Sequence, residues 1–320
     1  NLFNPKSYRI VPQGEGQTFS INARTNGRYY TSASISFLEP WLGGKRPNSL
    51  STSIFYAAQS GYSDRYYQSY ENLYNNYYYN YAYSGNSNYL QQLQESEYDP
   101  EKYLRTFGVS IGYGKRLSWP DDYFSFYGEL SYQLYMMKDW PYMILTDGNS
   151  HNFALNLQLS RSSIDNPIYT RRGSQFTLGL KITPPYSLIK GTTDAEYAQM
   201  TTSEKYNLLE YHKWKFNSKL YTPLSSHQKC FVLMTRFDCG FLGHYNKYKK
   251  SPFETFYMGG DGMSGYSSNY YSETIGLRGY DNGALTPYGH EGYAYSRMAL
   301  ELRYPLMLQG STNIYALAFL

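Results

Sequence analysis

The sequence predicts an all-β fold, a transmembrane antiparallel up-and-down β-barrel, from three observations. Apolar residues recur at every second position along about eleven segments. The charged residues within those segments fall on the opposite face. Short connections alternate with mostly longer ones.

Each segment carries its own alternation, the mark of a strand with two different faces. Phe19, Ile21 and Ala23 interleave with Thr18, Ser20, Asn22 and Arg24, and Thr31, Ala33, Ile35 and Phe37 with Ser32, Ser34 and Ser36. A less regular run covers Leu50 to Ala58. Phe107, Val109, Ile111 and Tyr113 alternate with Thr106, Gly108, Ser110, Gly112 and Gly114. The pattern continues through Phe124 to Met136, Phe153 to Leu159, Phe176 to Ile182, Trp214 to Leu220 and Phe231 to Cys239. It closes with Met298, Leu300, Leu302 and Tyr304, then Ile314, Ala316 and Ala318. Most runs are near the 9–11 residues that cross a bilayer as tilted strands. No segment has a convincing helical period.

Arg24, Glu129, Lys181, Lys213, Lys215, Lys219, Arg236, Asp238, Arg297, Glu301 and Arg303 all lie opposite the apolar series. A soluble β-sandwich would give the same parity with its apolar face turned inward, so parity alone does not decide. The connections favour the membrane barrel. Short links (Glu39 to Ser49, Arg116 to Asp122, Ile164 to Gly173, Pro223 to Gln228, Pro305 to Gly310) alternate with longer ones. The longer ones are Tyr62 to Lys102, Met137 to Ser150, Pro184 to Tyr211 and Gly243 to Tyr295. Outer-membrane barrels place short turns on the periplasmic side and long loops outside. Aromatics near strand ends (Tyr29, Tyr30, Trp41, Trp119, Trp140, Tyr304) fit interfacial girdles.

Composition narrows the field further. No stretch approaches 18 apolar residues and mean hydropathy is −0.62, which excludes a transmembrane helix but not a barrel. Lys+Arg 29 against Asp+Glu 25 gives +4, too mild for a nucleic-acid partner. At 19% aromatic the chain is not disordered. Asn1 to Pro5 show neither the basic start nor the apolar core of a signal peptide: either a leader was removed or the chain begins partway through a longer one. Cys230 and Cys239 fall nine residues apart in one run, too far for a bridge, and read as free thiols. Between Tyr62 and Tyr89, eleven of 28 residues are Tyr, which reads as an external loop, either a contact surface or a drifted surface composition.

Catalytic and metal signals are weak. His151, His212, His227, His244 and His290 show no i, i+4 pair and no cysteine partner, so no metal site is assigned. Gly262-Met263-Ser264-Gly265 lacks the flanking glycines of a nucleophile elbow, and no helix follows Gly259-Gly260-Asp261-Gly262 to bind phosphate. Loop His-Asp or Ser-His pairs leave an outer-membrane hydrolase open, but nothing singles out a pair. The expectation is no catalytic residue, no metal and no cofactor.

Leu277-Arg278-Gly279-Tyr280 resembles the Val-Arg-Gly-Phe/Tyr motif in the sixth extracellular loop of the BamA family, the central subunits of the outer-membrane β-barrel assembly machinery. Phe256-Tyr257-Met258-Gly259-Gly260 resembles the Phe-Tyr-x-Gly-Gly that opens that loop. Ser160-Arg161 through Asp165-Asn166-Pro167 and Arg172-Gly173-Ser174 resembles the turn before its ninth strand. Glu39-Pro40-Trp41-Leu42-Gly43-Gly44 resembles the turn after its fourth strand in Bacteroidota-type members, and Ala299-Leu300-Glu301-Leu302 the start of its twelfth. The matches run in order along nearly the whole chain.

The resemblance implies that residues 1–320 form an incomplete transmembrane barrel, strands three to thirteen of sixteen, without the periplasmic POTRA domains, the first two strands or the last three. It implies a location in the outer membrane and the folding and insertion of unfolded β-barrel clients. Lipids, clients and accessory subunits, lipoproteins among them, are the implied partners. It also implies that Arg278 reaches into the lumen and pairs with Glu301 there, with Gly279 turning the backbone and Tyr280 packing alongside. A translocation-and-assembly relative or a two-partner secretion transporter would share the motif, and a passive porin or receptor barrel is the alternative of a different class.

Overall fold

The structure, a computed structural model, describes residues 16–27, 29–44, 48–62, 98–140, 144–227, 229–260, 272–281, 283–286, 292–309 and 312–320. Eleven strands form one antiparallel sheet: β1 (Thr18–Asn26), β2 (Tyr30–Glu39), β3 (Asn48–Tyr62), β4 (Tyr98–Arg116), β5 (Phe124–Lys138), β6 (Gly148–Ser162), β7 (Gly173–Ile182), β8 (His212–Pro223), β9 (Val232–Gly243), β12 (Ala294–Gln309) and β13 (Thr312–Phe319). Each pairs with its neighbour in sequence order, and β12 joins β9 directly. The sheet is not closed, because β1 and β13 do not pair with each other. Two three-residue strands, β10 (Phe256–Met258) and β11 (Glu273–Ile275), pair in parallel within the β9–β12 connection. The Tyr-rich segment after Tyr62, Ser264 and His290 lie outside the described residues.

The register settles what parity left open. Ile21, Ile35, Ile54, Val109, Tyr132 and Phe153 lie opposite one another in turn, one continuous row across six strands. Ile21 is 66% exposed and Ile54 51%, so no layer of described residues covers them on this face. On the other face Glu129, Asn156, Lys181 and Lys213 form a matching row. A sandwich would bury the first row and expose the second. Here the apolar row is bare and the charged row is covered by a loop, the inverse arrangement that suits lipid outside and water or protein inside.

The main apolar core lies at the loop end of the sheet. Leu104, Tyr135 and Met137 of the wall pack with Trp140, Leu145, Tyr206, Leu209, Tyr211, Phe253 and Phe256 from the long loops. The Tyr135 and Phe253 rings stack with centroids 4.4 Å apart. Trp140 therefore corrects the girdle assignment: it is fully buried in this core. Trp119 is 81% exposed in a short turn. At the opposite end Ile164 packs on Tyr221, Val232 and Met234, so the β6–β7 turn folds inward there.

The sequence showed no helical period, yet three short helices occupy the β7–β8 loop: α1 (Tyr186–Lys190), α2 (Asp194–Gln199) and α3 (Thr202–Lys205). They are too short to show one. Two of them begin with capping boxes, Thr193 with Glu196 and Thr201 with Glu204, which satisfy the first free N–H groups. Both cysteines are free thiols, Cys230 just before β9 and Cys239 within it.

Spin labels at positions 155 to 158 are expected to alternate between lipid and water accessibility. Leu157→Arg should cost about 2–4 kcal/mol near the midplane. Asn156→Arg should cost less, although it removes the Asn156 hydrogen bond to Glu129 at 2.9 Å. A flat accessibility profile would contradict the two-faced wall.

Candidate functional site: a loop held against the inner wall

The β9–β12 connection turns back against the charged face of the sheet, and two acids anchor it. Glu254 binds Lys181 of β7 and, at 3.2 Å, Lys213 of β8. Glu273 binds Lys213 at 2.9 Å and Lys215 at 2.6 Å. Lys213 thus bridges both acids and is almost wholly buried. Three lysines lining one wall would repel one another, and the loop supplies the two carboxylates that offset them. Glu254 has a φ of 67°, an unusual backbone for a residue other than glycine, held by its two ion pairs. Burial alone would raise the Glu254 carboxyl, but Lys181 and Lys213 outweigh it and hold the group at about 2. Glu273 is lowered likewise: burial opposes, and Lys213 and Lys215 prevail.

A second anchor lies one strand pair away. Asp238 of β9 is buried and faces Arg297 of β12 in register. Arg297 donates to Asp238 through Nε at 3.0 Å and through Nη1 to the Gly276 carbonyl at 2.5 Å. Arg236 donates to the same carboxylate at 2.6 Å. One guanidinium therefore ties the wall to the backbone just before Leu277. Phe256 packs edge-on against Tyr295 at 4.7 Å over Gly240, where a Cβ would come within 2.7 Å of the Phe256 ring.

Within the loop, the parallel β10–β11 ladder joins two stretches far apart in sequence. Gly259 N–H donates to the Ile275 carbonyl at 3.0 Å and Leu277 N–H to the Gly260 carbonyl at 2.8 Å. Gly259 has a φ of 131°, and a Cβ there would lie 2.4 Å from the Asp281 carbonyl oxygen, so only glycine fits. Phe256 to Gly260 and Leu277 to Tyr280 are thus one structural unit.

The Omp85 superfamily domain matches residues 13–320 of this chain. The chain belongs to the Omp85 superfamily. Among solved structures, BamA from Haemophilus ducreyi, in a crystal structure lacking POTRA domains 1–3, is similar over 92% of this chain and 49% of that one. The TM-score is 0.56 at 18% sequence identity, a likeness of fold, and the chain spans about half the length of that relative. A comparison with curated protein sequences finds no match.

The loop-motif residues expected from the sequence come near one another, but no contact joins Arg278 to Glu301 among the described interactions. The Arg278 guanidinium stands 5.6 Å from the Phe319 ring centroid, and Phe319 is the register partner of Glu301. Glu301 accepts instead from Arg303, through Nε at 2.9 Å and Nη2 at 2.6 Å. Arg303 is two residues along the same strand and on the same face, so it takes the carboxylate without any loop movement. Leu277 lies on the Gly260 bridge, Gly279 has a φ of 87°, and Tyr280 is half exposed rather than packed beside an ion pair. Sequence reasoning put Arg297, Asp238 and the three lysines on the inner face but gave them no partners. Among the described residues, no group of three His, Cys, Asp or Glu side chains could hold a metal.

Glu254→Ala is expected to cost about 3 kcal/mol, near the lower limit for breaking a buried pair, since Lys213 keeps Glu273. A carboxyl held at about 2 stabilises the fold fully above its ordinary value of 4.5 and loses that contribution as pH falls toward 2. Thermal unfolding followed by circular dichroism at pH 7, 5 and 3 should show a drop only at the lowest pH. Glu254→Gln should flatten that drop.

Proposed function

We propose that this chain is the barrel portion of an outer-membrane protein assembly factor of the BamA type, which folds and inserts β-barrel clients into the outer membrane. The observation that carries this reading is the Omp85 loop unit, Phe256 to Gly260 zipped to Leu277 to Tyr280, held on the inner face of a wall whose outer face is bare and apolar. The likeness of fold to BamA supports it. On this reading the eleven strands are part of a larger barrel whose remaining strands and periplasmic domains belong to the longer protein. Clients, surrounding lipid and accessory subunits are its partners.

The physical logic needs no ATP or cofactor. A client strand entering lipid must not expose unpaired backbone groups, each costing several kcal/mol, so an edge strand of the barrel supplies partners during insertion. The inner-wall charges and loop keep the barrel folded while its edge is in use. A passive porin is the competing reading.

Depletion of the full-length protein, followed by proteomics of the outer membrane, tests the proposal. Broad loss of other barrels is expected; loss of one uptake activity alone would favour the porin. Arg278 is proposed to couple the loop to the last strands through Phe319 and Glu301. Arg278→Ala should lower assembly of a reporter barrel, and Arg278→Lys should not restore it, because a point charge lacks the planar guanidinium face. Combining Arg278→Ala with Phe319→Ala or with Glu301→Ala should be less than additive; additivity in both cycles would remove the coupling role.

A further inference from the structure

The β6–β7 turn is braced along its whole length. Its legs are joined by the Ser163 and Asp165 N–H groups, which donate to the Ser174 and Arg172 carbonyls at 2.9 and 3.2 Å. Its tip is held by side chains. Asn166 Oδ1 accepts from the Ile168 and Tyr169 N–H groups at 2.8 and 3.2 Å, and Asp165 Oδ1 from those of Arg171 and Arg172 at 3.0 and 3.2 Å. Arg161 fixes the base, pairing with Asp121 at 2.9 Å and donating to Ser163 Oγ at 2.8 Å. A turn tied in this way moves as one body.

That body reaches far across the sheet. Ile164 packs on Tyr221 of β8 and on Val232 and Met234 of β9. Arg171 donates through Nη2 to the His227 carbonyl at 2.6 Å and stands 3.6 Å from Cys230 Sγ, both in the β8–β9 connection. Tyr169 is 3% exposed, and its ring lies 5.1 Å from that of Tyr315 in β13, tilted by 53°. β8, β9 and β12 all lie between β7 and β13 in the sheet, so the turn touches a strand that its own neighbours never pair with.

The turn lands on a weak point of the β12–β13 hairpin. Tyr315 is paired with Pro305, which has no N–H to give the ladder, and the register shifts between Pro305 and Met307. β13 also lacks what holds the other inner rows. Its residues opposite Glu301, Arg303 and Pro305 are Phe319, Leu317 and Tyr315, none of them charged. No carboxylate or lysine of a loop can pair with such a row, but a ring can pack on it. Arg278 stands over Phe319 at one end of the row, and Tyr169 packs on Tyr315 at the other. The Tyr169 contact is complete in packing but not in hydrogen bonding. Among the described residues, the buried Tyr169 hydroxyl and the buried Arg171 Nε have no hydrogen-bond partner. Both would regain water if the turn withdrew, so docking carries a cost that the packing has to exceed.

We propose that the β6–β7 turn is a releasable strap. Docked, Tyr169 clamps the β12–β13 hairpin at Tyr315 and Pro305. Withdrawn, it solvates its hydroxyl and leaves the hairpin free to bend at the irregularity after Pro305. The strap goes beyond the assembly reading above, since it concerns how the hairpin is held, whichever task the barrel performs.

Cys230 reports the state of the strap, because its thiol is buried beside Arg171. Its alkylation by a water-soluble maleimide is followed by peptide mass spectrometry in the full-length, membrane-reconstituted protein. Tyr169→Ala should speed the reaction roughly tenfold, as loss of one aromatic contact implies. Tyr315→Ala, on the far strand, should speed it by a similar factor, and the double variant no further. Tyr169→Phe keeps the ring and removes the unpartnered hydroxyl, so it should react more slowly than wild type. The amides of β13 should exchange faster in both alanine variants, while those of β8 and β9 stay protected. Should Tyr169→Ala fail to fold, Tyr169→Phe and Tyr315→Ala carry the test. Wild-type Cys230 reacting like an exposed thiol, Tyr315→Ala silent at Cys230, factors that multiply in the double variant, or Tyr169→Phe faster than wild type each overturn the proposal. The unboiled protein should migrate faster on a gel than the boiled one, for wild type and folded variants alike. Identical mobility in a folded wild-type preparation would instead sink the membrane-barrel reading itself.

Discussion

Lys213 is the residue on which the interior depends. It is nearly buried on the wall, flanked on the same face by Lys181 and Lys215, and two carboxylates meet its charge there. The wall has no acid beside it in the β7 and β8 rows, so the compensation must arrive from elsewhere in the chain. It arrives on the β9–β12 loop as Glu254 and Glu273. That requirement pulls the loop inward, sets β10 beside β11 in parallel, and brings Gly260 to Leu277. The unusual backbone at Glu254 is one cost of this arrangement.

The same constraint explains why the protein is built inside out. An apolar row such as Ile21, Ile35, Ile54 and Val109 stays bare because its solvent is hydrocarbon. The polar row has to be neutralised and covered, and folded loops do both. Apolar packing is then left to the loop end, where Trp140, Tyr211 and Phe253 join a core made largely of loop residues.

Much of this could be read in the sequence, and the remainder could not for definite reasons. The strands were legible because each meets two solvents of opposite polarity, which writes period two into residues such as Phe107 to Tyr113. The short helices were not, since α2 spans six residues and no periodicity survives over that length, although Thr193 with Glu196 and Thr201 with Glu204 carried a capping signal. Three-residue strands such as β10 carry no alternation either, so the ladder joining Phe256 and Glu273 is visible only in space. Arg297 and Asp238 were both placed on the inner face, but their meeting depends on β9–β12 register, which skips the loop between them. Glu301 was assigned to Arg278 across the lumen, while Arg303, two residues away on the same face, was the nearer donor.

Amide hydrogen exchange of the loop in the full-length, membrane-reconstituted protein tests the central claim most directly. If the loop is latched to the inner wall by Lys181, Lys213 and Lys215, the amides of Phe256, Gly259, Glu273 and Leu277, all bonded to carbonyls, should exchange as slowly as those of β8 and β9. Lys213→Ala should release them while leaving the strand amides protected. Exchange at the rate of an open surface loop in the wild-type protein, or protection unchanged by Lys213→Ala, would contradict the account.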